Sequence, residues 1–135
     1  RRLGIAPQLS PQTPERVNRS SSSILEGESA VLLQRTLRSG FKVAFQGHVV
    51  ILGDVNPGAE IVAGGSVIVW GCLRGVVHAG AEGNEQAVVC ALTLAPTQLR
   101  IAGAIAVTPP GKGASQPEIA RLHEGQVVAV RWKAK

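Results

Sequence analysis

Three histidines, two cysteines and a few scattered carboxylates are the side chains in this sequence that could do chemistry. His48, His78 and His123 could each serve as a general base or a metal ligand. A metal site needs three or four converging ligands, and a base needs a partner that orients its ring. None of the three stands in a pair with a carboxylate at useful spacing, so they read as ordinary surface or corner residues. Cys72 and Cys90 form no CxxC pair and have no third Cys or His at ligand spacing. They read as small buried hydrophobes, compatible with a reducing compartment. Gly64-Gly65 is only loosely like part of a phosphate loop, and the GxxxxGK[ST] pattern is absent. No cofactor, metal or catalytic site is expected.

The remaining candidates suit binding rather than catalysis. Arg38-Ser39-Gly40 reads as a turn that presents a cation. Arg74 lies in a Gly-flanked corner, where it is either a binding group or a solvated charge. Asp54 and Asn56 precede Pro57-Gly58. They read as turn formers, with a role in partner binding as the alternative. Leu92, Leu94, Leu99 and Ile101 are more apolar positions than an alternating inward face requires. Some of them are therefore expected to face outward and form a dimer interface.

The charge pattern removes one attractive class. The chain of 135 residues carries a net charge of +5, which points at first to nucleic acid. Divided along the sequence, the charge is +3 over residues 1–38, −1 over 39–107 and +3 over 108–135. A duplex-binding face needs clustered Lys and Arg, and a single-strand binder adds aromatic platforms. Aromatic residues make up only 3% of this chain, so nucleic acid is not the expected partner. No apolar run approaches the roughly 18 residues that cross a bilayer, and a soluble protein is expected.

Sixteen Gly accompany an apolar fraction of 44% that favours Val and Ile over aromatics. Such a composition suits tightly wound strands with little room for large rings. Residues 1–30, with Pro7, Pro11, Pro14 and Ser20 to Ser23, have the composition of a linker. The start at Arg1 and the absence of Met suggest a piece of a longer protein.

From about Leu32 the sequence repeats. Gly47 to Val55 aligns with Gly65 to Leu73 at an offset of 18, and Ile61-Val62-Ala63-Gly64 aligns with Val77-His78-Ala79-Gly80 at an offset of 16. A third copy runs through Val88 to Leu92 and ends at Ala102-Gly103. Short strands between glycines at this period predict a β-solenoid in which each repeat is one coil. Three strands per coil, joined at corners such as Gly53-Asp54 and Gly64-Gly65, would give a narrow prism over residues 31–107. In the tail, 108–135, Pro109 to Gly113 is a break. Pro117 to Leu122 is predicted as a helical turn capped by Ser115, and Gln126 to Trp132 as a final strand. This tail is expected to cover the solenoid end.

One ordered series of segments resembles a known family. Arg38-Ser39-Gly40, Gly53 to Glu60, Ala63-Gly64-Gly65, Val69-Trp70-Gly71 and Leu73 to Gly80 are together similar to the C-terminal domain of MinC, the bacterial septum-site inhibitor. The resemblance covers roughly residues 36–107 and extends to Pro117-Glu118-Ile119-Ala120-Arg121. It implies an all-β fold, a right-handed parallel β-helix with a short C-terminal cap. It also implies a non-enzymatic homodimer that binds the membrane-associated ATPase MinD and is thereby recruited from the cytoplasm to the inner face of the membrane. The inhibitor domain acting on FtsZ would precede the linker. In the family an Arg-Ser-Gly-Gln motif contributes to the MinD surface. It falls on Arg38, Ser39 and Gly40, with Phe41 in place of the Gln; Arg74 and Asp54 are the further candidates for that surface.

Competing classes fit less well. Polysaccharide cleavage would need paired carboxylates on neighbouring coils, whereas Asp54, Glu60, Glu82 and Glu85 are scattered. Acyl transfer would need a positioned His base. A self-assembling scaffold similar to the bactofilins would need uncapped ends, against which the tail argues.

Overall fold

The structure is a computed structural model that describes residues 23–107 and 116–133. Eleven strands follow in order: β1 (Ala30–Leu33), β2 (Lys42–Phe45), β3 (His48–Leu52), β4 (Glu60–Ala63), β5 (Val67–Leu73), β6 (Val76–Ala79), β7 (Val89–Leu94), β8 (Gln98–Ile101), β9 (Ala104–Ala106), β10 (Glu118–His123) and β11 (Gln126–Arg131). The first eight alternate between two sheets, β1-β3-β5-β7-β10-β11 and β2-β4-β6-β8-β9, with β9 added to the second and β10 and β11 to the first. The first four strands of each sheet pair in parallel with the strand one coil away. The result is a β-solenoid of about four turns.

The repeat read from the sequence is the register of this ladder. Val49 pairs with Val67, and Lys42 with Glu60, both eighteen residues apart. Glu60 pairs with Val76, sixteen residues on. The missing two residues come out of the corner at Arg74-Gly75. Val67 pairs with Val89 because residues 80–87 form an extra loop closed by Gly83 N–H on the Gly80 carbonyl (2.9 Å).

The third side of the prism is thinner than expected. It carries isolated bridges, Leu37 to Val55 and Val55 to Leu73, rather than full strands. The line continues to Leu94 beyond a register shift between Val69 and Cys72. Alternation sends one residue of each pair into the axis. Val49, Ile51, Ile61, Val67, Val77 and Ile101 are wholly buried there, and no polar or charged residue is among the buried ones described. Each such side chain contributes about 1.5–3 kcal/mol. Gly71 shows why corners need glycine: a Cβ there would strike the carbonyl oxygen of Gly53 one coil away.

The tail departs from the predicted helical turn. Pro117 to Leu122 contributes to strand β10, which lies antiparallel between β7 and β11. The open edge of β7 offers it a hydrogen-bonding ladder, and Ala120 is fully buried in that position; edge pairing overrides a weak local preference. Ser115 and the break at Pro109 to Gly113 lie outside the described residues. Glu124 and Gly125, both at positive φ (56° and 81°), turn the chain into β11, which forms the expected final strand.

Candidate protein-binding surfaces

The three sides of the solenoid differ in chemistry. On the outer face of the six-stranded sheet, Leu32, Val50, Ile68, Cys90, Ile119 and Val130 stand side by side, one from each strand. This is an uninterrupted apolar row without a charge. Leu52 pairs with Trp70 beside it. Trp70 and Trp132 are 64% and 58% exposed, and with Leu92 and Pro117 they line a groove of about 330 Å³. Single exposed hydrophobics are ordinary, whereas a row crossing a whole sheet is a candidate interface.

The dimer-interface candidates are corrected by this placement. Leu94, Leu99 and Ile101 are 6%, 3% and 0% exposed and belong to the core. Only Leu92 faces out, half-buried. The surplus of apolar residues fills the axis beside the Leu37–Val55–Leu73 line. The outward row was hidden because its members lie 11 to 29 residues apart in the chain until the coils stack.

The other sheet presents a mixed surface, with Lys42, Glu60, Val76 and Gln98 in one row. Its corner with the third side gathers most of the other candidates. Phe41 N–H donates to the Arg38 carbonyl (3.0 Å), closing a turn over Ser39 and Gly40. Gly40 has φ 93°, as the third residue of a type II turn requires. One coil on, Ala59 N–H donates to the Asn56 carbonyl (3.0 Å) over Pro57 and Gly58, whose φ is 92°. The two turns stack, with Gly40 N–H on the Gly58 carbonyl at 3.0 Å. A Cβ on Gly58 would collide with the Ser39 hydroxyl.

In the next coil Arg74 follows Leu73 as Asn56 follows Val55 and Arg38 follows Leu37. Arg38, Asn56 and Arg74 therefore form one line along the corner, about 4.8 Å per coil, and Arg74 Nη2 donates to Asn56 Oδ1 (3.0 Å). Arg38, Ser39, Gly40, Phe41 and Arg74 are thus brought together. Asp54 is not among them. It occupies the opposite end of the third side, where Oδ1 accepts Cys72 N–H (2.8 Å) and its own N–H donates to Thr36 Oγ1 (3.2 Å). Its carboxylate is occupied in stitching coils together.

The histidines and cysteines also take local roles. Ser66 N–H donates to His48 Nδ1 (2.8 Å), which leaves Nε2 as the donor to Glu28 Oε1 at 2.5 Å. This pairing corrects the expectation that no histidine meets a carboxylate, since the winding brings residue 28 alongside residue 48. His78 Nε2 meets the Ala102 carbonyl at 3.0 Å. Both cysteines are half-buried rather than core. Cys90 lines the Trp70–Trp132 groove, where burial pushes its thiol pKa up and nearby Arg121 partly offsets this. Among the described residues no three His, Cys, Asp or Glu converge as a metal site, and no helix is long and apolar enough to cross a membrane.

Residues 31–132 match the family described as "Septum formation inhibitor MinC, C-terminal domain". The chain belongs to the MinC family. It is 58% identical over 107 residues to the probable septum site-determining protein MinC of Heliobacterium modesticaldum, covering 78% of this chain and 37% of that protein. To the MinC of Gloeobacter violaceus it is 48% identical over 120 residues, covering 86% of this chain and 42% of the relative. The chain therefore spans less than half the length of these two MinC relatives. A chain of the MinC:MinD cell division protein complex of Aquifex aeolicus superposes with a TM-score of 0.76 at 36% identity, covering 79% of this chain and 89% of that one. The family and the β-solenoid fold expected from the sequence are thereby established.

Proposed function

We propose that this domain is a non-enzymatic adaptor of a cell-division inhibitor. Its Arg38–Phe41 corner docks on MinD, and its apolar sheet face pairs two copies. The observation that carries the reading is the corner itself. Two stacked turns hold Arg38 in line with Arg74, in a chain similar to a protein of a MinC:MinD complex. Arginine on a rigid turn gives a directed, multi-donor contact to carboxylates at little ordering cost.

Pairing through the outer row of the six-stranded sheet gives an isologous dimer with two corner surfaces. Two-site docking on a dimeric ATPase would then raise the apparent affinity by avidity. Recruitment by MinD places the domain at the inner membrane face. Residues 1–30 act as the linker to the domain that restrains FtsZ-ring assembly, so septation is blocked at wrong sites. The 31–107 solenoid and the 108–135 tail, whose hairpin closes the end of the sheet, form the docking unit.

The test is co-sedimentation of the chain with lipid vesicles carrying MinD and ATP. ATP-dependent recruitment that falls about tenfold or more in Arg38→Ala is the expected outcome. Recruitment unchanged in Arg38→Ala moves the site away from this corner, and no recruitment of the unmodified chain overturns the adaptor reading.

A further inference from the structure

The Arg38–Phe41 corner has an aromatic extension onto the solenoid end. Phe41 occupies the row that the next coil fills with Ala59: Glu60 N–H donates to the Phe41 carbonyl at 3.0 Å, and Ala59 is 1% exposed where Phe41 is 42% exposed. Among the described residues no coil lies beyond β1 and β2, so a ring in a core row is left at an open end. Over it lies a cation, with Arg35 Cζ 5.1 Å from the ring centroid.

The charge around the ring is unbalanced. Arg35 lies over the ring, and Arg38 and Arg74 lie along the same corner line, one at each end of the Arg38–Asn56–Arg74 run. Among the described residues none of these three arginines pairs with a carboxylate: Arg35 meets the Phe41 ring and Arg74 donates to the Asn56 amide. Asp54, at the far end of the third side, is held by Cys72 N–H, and Glu60 stands directly opposite Lys42 in the neighbouring strand. Three arginines along one corner repel one another until an anionic surface meets them.

We infer that Arg35 and Phe41 act as one selectivity element of the docking corner, accepting from the partner protein a carboxylate beside an apolar side chain. The ring holds the guanidinium in one orientation, so a carboxylate can take its free N–H groups without first ordering a long side chain. The exposed edge of the ring offers the apolar contact, and excluding water strengthens both the cation–π and the ionic attraction. The inference rests on the reading of this corner as the MinD surface.

The experiment measures binding of this chain to MinD with ATP, at two salt concentrations, for Arg35→Ala, Phe41→Leu, the double variant and Phe41→Trp, with Arg38→Ala alongside. Phe41→Leu keeps an apolar cover on the solenoid end while removing the ring. The expected result is a loss of about tenfold for each single variant, little further loss in the double, and affinity within about twofold for Phe41→Trp. Arg35→Ala should also flatten the salt dependence. Affinities unchanged in Arg35→Ala and Phe41→Leu, with binding lost in Arg38→Ala, overturn the inference and leave the corner reading standing. Losses that track an equal drop in the urea midpoint make the pair an end cover only. No binding by the unmodified chain overturns both readings.

Discussion

At the scale of single residues, side chains of similar appearance in the sequence are separated by what their polar atoms already do. Arg38 and Arg74 point off a corner, whereas the Asp54 carboxylate is spent on the Cys72 N–H. Asp54→Ala should therefore lower stability by about 1–3 kcal/mol in urea unfolding, because it strands a half-buried donor, while MinD binding stays within about twofold of the parent. Asp54→Asn keeps an acceptor and should cost less. Gly71→Ala places a Cβ on the Gly53 carbonyl oxygen, which is backbone and cannot rotate away. A loss of about 1–3 kcal/mol in the same measurement is expected. The Cys90 thiol, raised by burial, holds its proton more tightly folded than unfolded. Its stabilising contribution is thus complete below the ordinary thiol pKa and is lost as pH rises through the raised one. Alkylation at pH 8 should accordingly be slower for native Cys90 than for the same residue in urea, as mass spectrometry of the labelled chain would show.

At the scale of elements, the tail is the instructive case. A run of Pro-Glu-Ile-Ala-Arg-Leu has helical character when taken alone, yet it becomes β10 because β7 presents an unsatisfied edge beside it. β10 and β11 then supply the last two members of the apolar row, Ile119 and Val130. Ala120 faces the core and is fully buried. Ala120→Asp should cost at least about 3 kcal/mol in unfolding, since the charge has no buried partner. An unfolding midpoint equal to the parent's would show that the hairpin does not pack on the solenoid.

At the scale of the whole molecule, the solenoid sorts its chemistry by side. An apolar sheet face, a mixed sheet face and a cationic corner lie around one narrow core. Two-fold pairing through the apolar face would place Ile68 of each copy near the same row of the other. Ile68→Glu would then bury like charges without partners. Sedimentation at micromolar concentration should show a dimer for the parent and a monomer for the variant. A variant that remains dimeric would move the interface to another side.

The sequence by itself determined the coil period, the glycine corners and the alternation that fills the axis, because each depends on residues close together in the chain or one fixed repeat apart. Ordered motifs also made the Arg38-Ser39-Gly40 turn and the family legible. Only the tertiary structure decided which apolar residues face outward. Leu94 cannot be told from a surface residue until it is seen to continue the Leu37–Val55–Leu73 line, and Leu99 and Ile101 until β8 stacks on β6 with both turned inward. Likewise the row from Leu32 to Val130, the His48–Glu28 pair and the Arg35–Phe41 stack join residues whose proximity exists only once the chain has wound and the hairpin has closed on β7. Winding converts sequence separation into one strand spacing, and that conversion is what places the surfaces.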